Sequence, residues 1–148
     1  MRRYAITGRQ TTVTTGQKTA LELVGATTTR ARVYDITVGN SGTPADNAGV
    51  FQVRRHTATG TGTAITAVAI DPGDPAAIIT CKEDDSVEPT IGAAEPLLDI
   101  PLNMRATYRW VAAPDGELVM PASTNGLAFS GQNSGSVGPL HANAHWQE

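Results

Sequence analysis

Met104-Arg105-Ala106-Thr107-Tyr108-Arg109-Trp110-Val111 alternates along its whole length. Met104, Ala106, Tyr108 and Trp110 fall on one side, and Arg105, Thr107 and Arg109 on the other. That period of two is what a half-buried strand requires. Pro114-Asp115-Gly116 follows as a turn and predicts a hairpin partner over 117–120. Asn125-Gly126 predicts a second turn before a strand over 127–129.

Working outward, the same alternation of short β-forming runs and turn residues fills the chain. Thr-, Val- and Ile-rich stretches predict strands over 19–24, 31–38, 50–57, 63–70 and 76–82. The run over 63–70 closes at Asp71-Pro72-Gly73-Asp74-Pro75, where proline sets φ and glycine permits the turn. The apolar run over 97–102 lies among Pro96 and Pro101, which predicts an edge or irregular strand. Residues 3–7 and 11–15 are short and polar, as an arm or edge strands would be. Residues 83–94 read as an acidic loop, and 130–137 as a Gly/Ser-rich segment leading into the tail.

No window sustains apolar residues at helical spacing, and Gly or Pro interrupts nearly every stretch. Eight to ten short strands without crossover helices predict an all-β fold, an antiparallel β-sandwich of jelly-roll type with extended terminal arms. The expected division is an N-terminal arm or edge strand over 1–8, a sandwich over 9–131 and a C-terminal arm over 132–148. An immunoglobulin-like sandwich fits less well, because the paired cysteines bracketing a tryptophan are missing. No repeat points to a propeller or solenoid.

A chain of 148 residues is one domain's worth and can bury about 70% of its unfolded surface without staples. One cysteine, Cys81, excludes an internal disulfide framework and any site built on several thiolates. A net charge of −3 lacks the basic stripe of a nucleic-acid binder. Charged residues are only 17% of the chain, against roughly 25% in an average domain, which suits burial against partners. There is no apolar run long enough for a transmembrane helix, and Met1-Arg2-Arg3 leads into no signal-peptide core. Neither a membrane nor nucleic acid is expected as a partner.

Reactive chemistry is sparse. His141 and His145 share one face only if the tail is helical, with Glu148 as a third candidate ligand, yet Ala142 stands where a metalloprotease has glutamate. A polar tail resting on a neighbour is the simpler account. His56, beside Arg54 and Arg55, reads as a surface imidazole. Glu83, Asp84, Asp85 and Glu88 offer oxygen to a hard cation but lack EF-hand spacing, so a solvated loop fits better. Asp71 and Asp74 read as turn formers. Thr59-Gly60-Thr61-Gly62-Thr63 lacks the Gly-Lys-Ser/Thr of a phosphate loop and reads as a hairpin. Gly131-Gln132-Asn133-Ser134-Gly135 is no nucleophile elbow. Cys81 reads as a small buried apolar group. No His-x-His or His-x-Asp/Glu pair is present, as a metal-barrel enzyme needs. No catalytic residue, metal or cofactor is expected.

Two features suggest adhesion. Arg2, Arg3 and Tyr4 open the chain, and Leu140 and Trp146 lie in its tail; these five are the candidate contacts to a partner. A terminal tryptophan left bare forgoes roughly 1.5–3 kcal/mol of burial. It therefore packs either on another subunit or back across its own sandwich. Threonine-rich edge strands, which tolerate both water and a partner, are the second feature.

Ile70-Asp71-Pro72-Gly73-Asp74-Pro75-Ala76-Ala77, Arg105-Ala106-Thr107-Tyr108-Arg109-Trp110-Val111, Ala113-Pro114-Asp115-Gly116-Glu117-Leu118-Val119 and Pro121-Ala122-Ser123-Thr124-Asn125-Gly126-Leu127 together resemble the jelly-roll cement or decoration proteins of tailed-bacteriophage heads. The likeness runs from about Arg3 to Gly131 and rests on turns and strands. It implies a homotrimer at threefold or quasi-threefold positions on the capsid exterior, made in the host cytoplasm and bridging major capsid protein subunits. It carries over no catalytic residue. The alternative is a carbohydrate- or receptor-binding sandwich of a virion fibre or surface, though aromatic residues for a sugar platform are few. An enzyme of the metal-barrel type is the third reading.

Overall fold

The computed structural model of the chain describes residues 1–11, 13, 16–133 and 139–148. The expected strand over 11–15 and the segment over 130–137 lie partly outside these residues. Thirteen strands and no helix make up the described chain. They are β1 (Arg3–Gln10), β2 (Lys18–Val24), β3 (Arg32–Asn40), β4 (Ala48–Ala58), β5 (Thr61–Ile65), β6 (Val68–Ala69) and β7 (Thr80–Val87). After them come β8 (Thr90–Ile91), β9 (Leu98–Asn103), β10 (Tyr108–Val111), β11 (Leu118–Val119), β12 (Gly126–Asn133) and β13 (Leu140–Gln147).

Two antiparallel sheets pack face to face. The first runs β10-β3-β13-β1-β6, with β11 also on β3. The second runs β5-β7-β2-β12-β4-β8, with β9 also on β4. Alternating residues of each sheet enter one core, as in Tyr4 and Ile6 of β1 or Leu140, Ala142, Ala144 and Trp146 of β13. Leu21, Leu23, Phe51, Val53, Leu127 and Phe129 meet them from the second sheet. The expected antiparallel sandwich is the observed architecture.

The pairings nest. β1 pairs with β13, β2 with β12, β3 with β10 and β4 with β9. β13 then pairs with β3 as well, and β12 with β4. The first and last strands therefore lie in the sheet interior, bonded on both sides. This corrects the expectation of terminal arms: boundaries at residues 8 and 132 fall inside β1 and β12. Gly8 lets β1 lie close against β2, since a Cβ there would lie 2.5 Å from the Ala20 carbonyl oxygen and 2.9 Å from Leu21 Cβ.

Three further expectations change. Of the stretch 104–111, only β10 is strand; Asn103 instead bonds forward, its carbonyl to Ala106 N and its Oδ1 to Arg105 N, and makes a turn that swings Met104 into the core. The turn at Pro114-Asp115-Gly116 forms, closed by Gly116 N to Ala113 O with Asp115 at φ 62°. It does not create a hairpin. β10 and β11 both lie on β3, Val111 opposite Asp35 and Leu118 opposite Val33, so 112–117 is a loop ejected from a single interrupted edge. Finally, the acidic loop over 83–94 begins as strand: β7 carries Glu83 to Val87, and the expected strand over 76–82 starts only at Thr80.

Candidate functional site

Glu22 stands between two core leucines of β2, so strand alternation sends it to the opposite, outer face of the second sheet. It is nonetheless fully buried. Its cross-strand neighbours are Lys82 of β7 and Ala128 of β12. Gly60, in the turn between β4 and β5, donates its backbone N–H to Glu22 Oε1 at 3.1 Å. Lys82 Nζ lies 3.8 Å from Glu22 Oε2 and donates to the Gly60 carbonyl at 2.8 Å. His56 Nε2 sits 3.4 Å from Glu22 Oε1 and 3.2 Å from the Leu23 carbonyl.

His56 is thus no surface imidazole. It is 1% exposed, on a strand paired with β12 on one side and with Thr90–Ile91 on the other. Gly126, opposite His56, leaves the space the ring occupies. Burial holds the imidazole pKa below its usual value, against the opposing pull of the Leu23 carbonyl and Glu22.

The acidic stretch beside this cluster is divided rather than convergent. Glu83 accepts from Arg9 N at 3.1 Å. Asp84, in the left-handed region at φ 54°, accepts from Thr11 N at 3.0 Å. Glu88 Oε2 accepts from Thr19 N and Oγ1 at 2.9 and 2.7 Å, and Lys18 stands 3.3 Å from its other oxygen. Asp85 turns inward and is 2% exposed, with neither carboxyl oxygen hydrogen-bonded among the described residues. A solvated loop therefore misdescribes Asp85. Among the described residues no three such side chains are arranged to hold a metal ion.

Burial raises the Asp85 pKa to about 7, helped by the Glu22 and Glu88 charges and opposed by Lys82. The inward turn comes from a break in register: Thr63 faces Glu83 but Thr61 faces Val87, so β7 carries extra residues between them. The only local sign of this cluster was a glutamate inside the apolar run Leu21-Glu22-Leu23. Nothing in the sequence joined it to residues 56, 82 and 85.

The five residues expected to touch a partner separate. Tyr4, Leu140 and Trp146 are buried in the protein's own core, and Tyr4 and Trp146 stack there. Arg2 and Arg3 remain exposed. Of the two packings open to Trp146, its own sandwich is the observed one. His141 and His145 share a face, but on strand β13, where four residues span about 13 Å. Glu148 turns elsewhere, accepting from Ile78 N at 2.8 Å, Ile79 N at 3.1 Å and Trp146 Nε1 at 3.1 Å. Cys81 is buried as expected, its thiol pushed up to about 12 by desolvation.

Two surface features complete the inventory. Thr37, Gly39, Asn40, Ser41, Thr107, His141 and Asn143 line a shallow depression of about 270 Å³ on the first sheet. Within it Ser41 Oγ and His141 Nε2 are 2.8 Å apart. At the β6 edge, Met1, Val68 and Ile70 are exposed, the last two on a segment bonded to β1 beside Arg3. Comparison with known proteins found no matching protein-family model and no similar curated protein.

Proposed function

We propose that the protein is a structural adhesive, a jelly-roll cement or decoration protein of the tailed-phage head. In this role it forms a homotrimer and binds the capsid exterior, bridging neighbouring major capsid protein subunits. Strand order supports the jelly-roll topology. With β8/β9 and β10/β11 each counted as one edge, the first, eighth, third and sixth strands form one sheet and the second, seventh, fourth and fifth the other. That is the order of an antiparallel ribbon rolled on itself. The insert β5 to β7 widens the two sheets at their opposite margin.

The observation that carries adhesion is the β6 edge. Val68 is 68% exposed on the two-residue edge strand and Ile70, just past it, is 48% exposed, with Met1 and Arg3 alongside. Apolar side chains on a short open edge, rimmed by charges of both signs (Arg3, Asp71 and Asp74), suit a protein partner. A clamp that binds only assembled shell stabilises that state by mass action, and several contacts per trimer multiply the gain. Light scattering should give three times the 15.4 kDa chain mass. The protein should sediment with phage heads and raise their melting temperature, and Val68→Glu with Ile70→Glu should abolish both effects. A wild-type monomer that leaves heads unbound and unstabilised contradicts the proposal.

One observation favours a carbohydrate- or receptor-binding module as the second reading. The depression around Ser41 and His141 has a mostly apolar wall edged by hydroxyl, imidazole and amide groups, a mix that suits the ring face and hydroxyls of a sugar. Glycan-array binding that is lost in Ser41→Ala and His141→Ala would promote it.

A further inference from the structure

Among the described residues, Asp85 is the one buried carboxylate of its cluster left without a counter-ion. Glu88 has Lys18 at 3.3 Å and Glu22 has Lys82 at 3.8 Å. Asp85 has no ion pair and no hydrogen bond to its carboxyl among the described residues. The backbone that closes over it is fitted tightly. A Cβ on Gly60 would lie 2.7 Å from Asp85 Oδ2, and one on Gly62 would collide with Oδ1. From the other side Gln10 Nε2 donates to the Asp85 carbonyl at 3.4 Å and to the Thr19 carbonyl at 3.1 Å, holding the residue's backbone in place.

An isolated ionised carboxylate in such a place is costly, and the cluster is short of donors rather than acceptors. Glu22 Oε2 and Glu88 Oε1 also lack hydrogen-bond donors among the described residues. With every carboxylate ionised, Glu22, Asp84, Asp85 and Glu88 carry four negative charges against the two positive charges of Lys18 and Lys82, and one proton on Asp85 halves that excess.

We propose that Asp85 is a proton-operated latch: protonated, it lets the Gly60–Gly62 turn and the β7 bulge close over the outer face of the second sheet, and ionised, it drives them open. The opening segments are the β4–β5 turn with β5 and residues 84–91. Beneath them lie Glu22, His56 and Lys82. The groups facing Asp85 are Glu22 from β2, Lys82 and Asp84 from β7 and Glu88 beyond it. His56 of β4 faces Glu22 rather than Asp85. This device is independent of the capsid proposal, since it concerns the second sheet and not the β6 edge.

Hydrogen exchange corrected for intrinsic rates, on the full chain at pH 6 and pH 8.5, tests the latch. With the Asp85 pKa at about 7, the opening equilibrium of 58–65 and 84–91 rises by up to about tenfold between these two pH values. Amides of β13 should not respond. Asp85→Asn should remove the response, and His56→Asn should keep it. Carbon-13 NMR of the wild-type Asp85 carboxyl, which needs no variant, should show a midpoint near neutral. A midpoint in the ordinary carboxylate range, or an opening that survives in Asp85→Asn, overturns the proposal. So does a response that disappears in His56→Asn while persisting in Asp85→Asn.

Discussion

Tyr4 and Trp146, one near each end of the chain, stack with ring centroids 5.7 Å apart and planes inclined at 29°. Both are fully buried, and they lie directly opposite in the β1–β13 register. Cross-strand aromatic pairs of this kind hold a sheet together. Here the pair ties the first strand to the last, and Tyr4 Oη donates onward to the Pro75 carbonyl at 3.1 Å. Both terminal strands are therefore structural centre rather than tethers.

Trp146→Ala should therefore cost about 3–5 kcal/mol, the range for a large core aromatic truncated to alanine. Chemical denaturation followed by far-UV circular dichroism measures it. Deleting 140–148 removes a strand bonded on both sides and should leave an unfolded chain. If that deletion yielded a folded protein of unchanged stability, β13 would be dispensable and the nested pairing wrong.

Gly8→Ala places a methyl group against the Ala20 carbonyl and Leu21 Cβ, where β1 crosses β2. Overpacking of this kind costs about 1–3 kcal/mol. Gly16→Ala is the control, because a Cβ there meets nothing within 4 Å. Urea midpoints of the two variants should separate clearly, with only Gly8→Ala falling.

Asp35 and Arg109 pin the β10 edge to β3 through bonds of 3.0 Å and 2.5 Å. The guanidinium's hydrogen bonds, and then its charge, hold the Asp35 pKa below its usual value, against the effect of burial. A carboxyl depressed in the folded state stabilises it above the unfolded carboxylate pKa and loses that contribution as pH falls through the folded one. Asp35→Asn should lower the melting temperature by a few degrees at neutral pH. The difference from wild type should shrink on acidification below the ordinary carboxylate range.

Asp85 acts in the opposite sense and in another window. Its folded pKa of about 7 stands above the ordinary carboxylate value of 3.8, so its contribution is fully present below the unfolded value and is lost as pH rises through neutral. The full difference is about 4 kcal/mol. Melting temperatures should fall between pH 5 and pH 8, and Asp85→Asn should flatten that part of the curve.

Cys81 should be silent towards thiol reagents while the protein is folded. A thiol moved from 9.0 to about 12 has about a thousandfold less thiolate at a given pH. Its burial restricts access further. Reaction with a maleimide should track unfolding, and prompt labelling of native protein would show that β7 opens far more readily than its packing allows.

Local chemistry was enough for the strands and for their inward faces wherever residues simply alternate. Leu21 and Leu23, Phe51 and Val53, and the buried Cys81 follow from side-chain type and a period of two, which neighbouring residues determine. What covers the second side of a strand is a different matter. Glu22 and His56 look solvated in sequence and are buried because they meet each other and Gly60, Lys82 and Gly126, residues that lie far from Glu22 in the chain. Asp85 points inward because β7 takes an irregular register against β5. The terminal strands became interior ones because β13 finds both β1 and β3, separated from it by nearly the whole chain. Pairing partners, register and covering segments are non-local choices, settled by which arrangement buries the most apolar surface while satisfying the backbone, and only the folded chain contains that comparison.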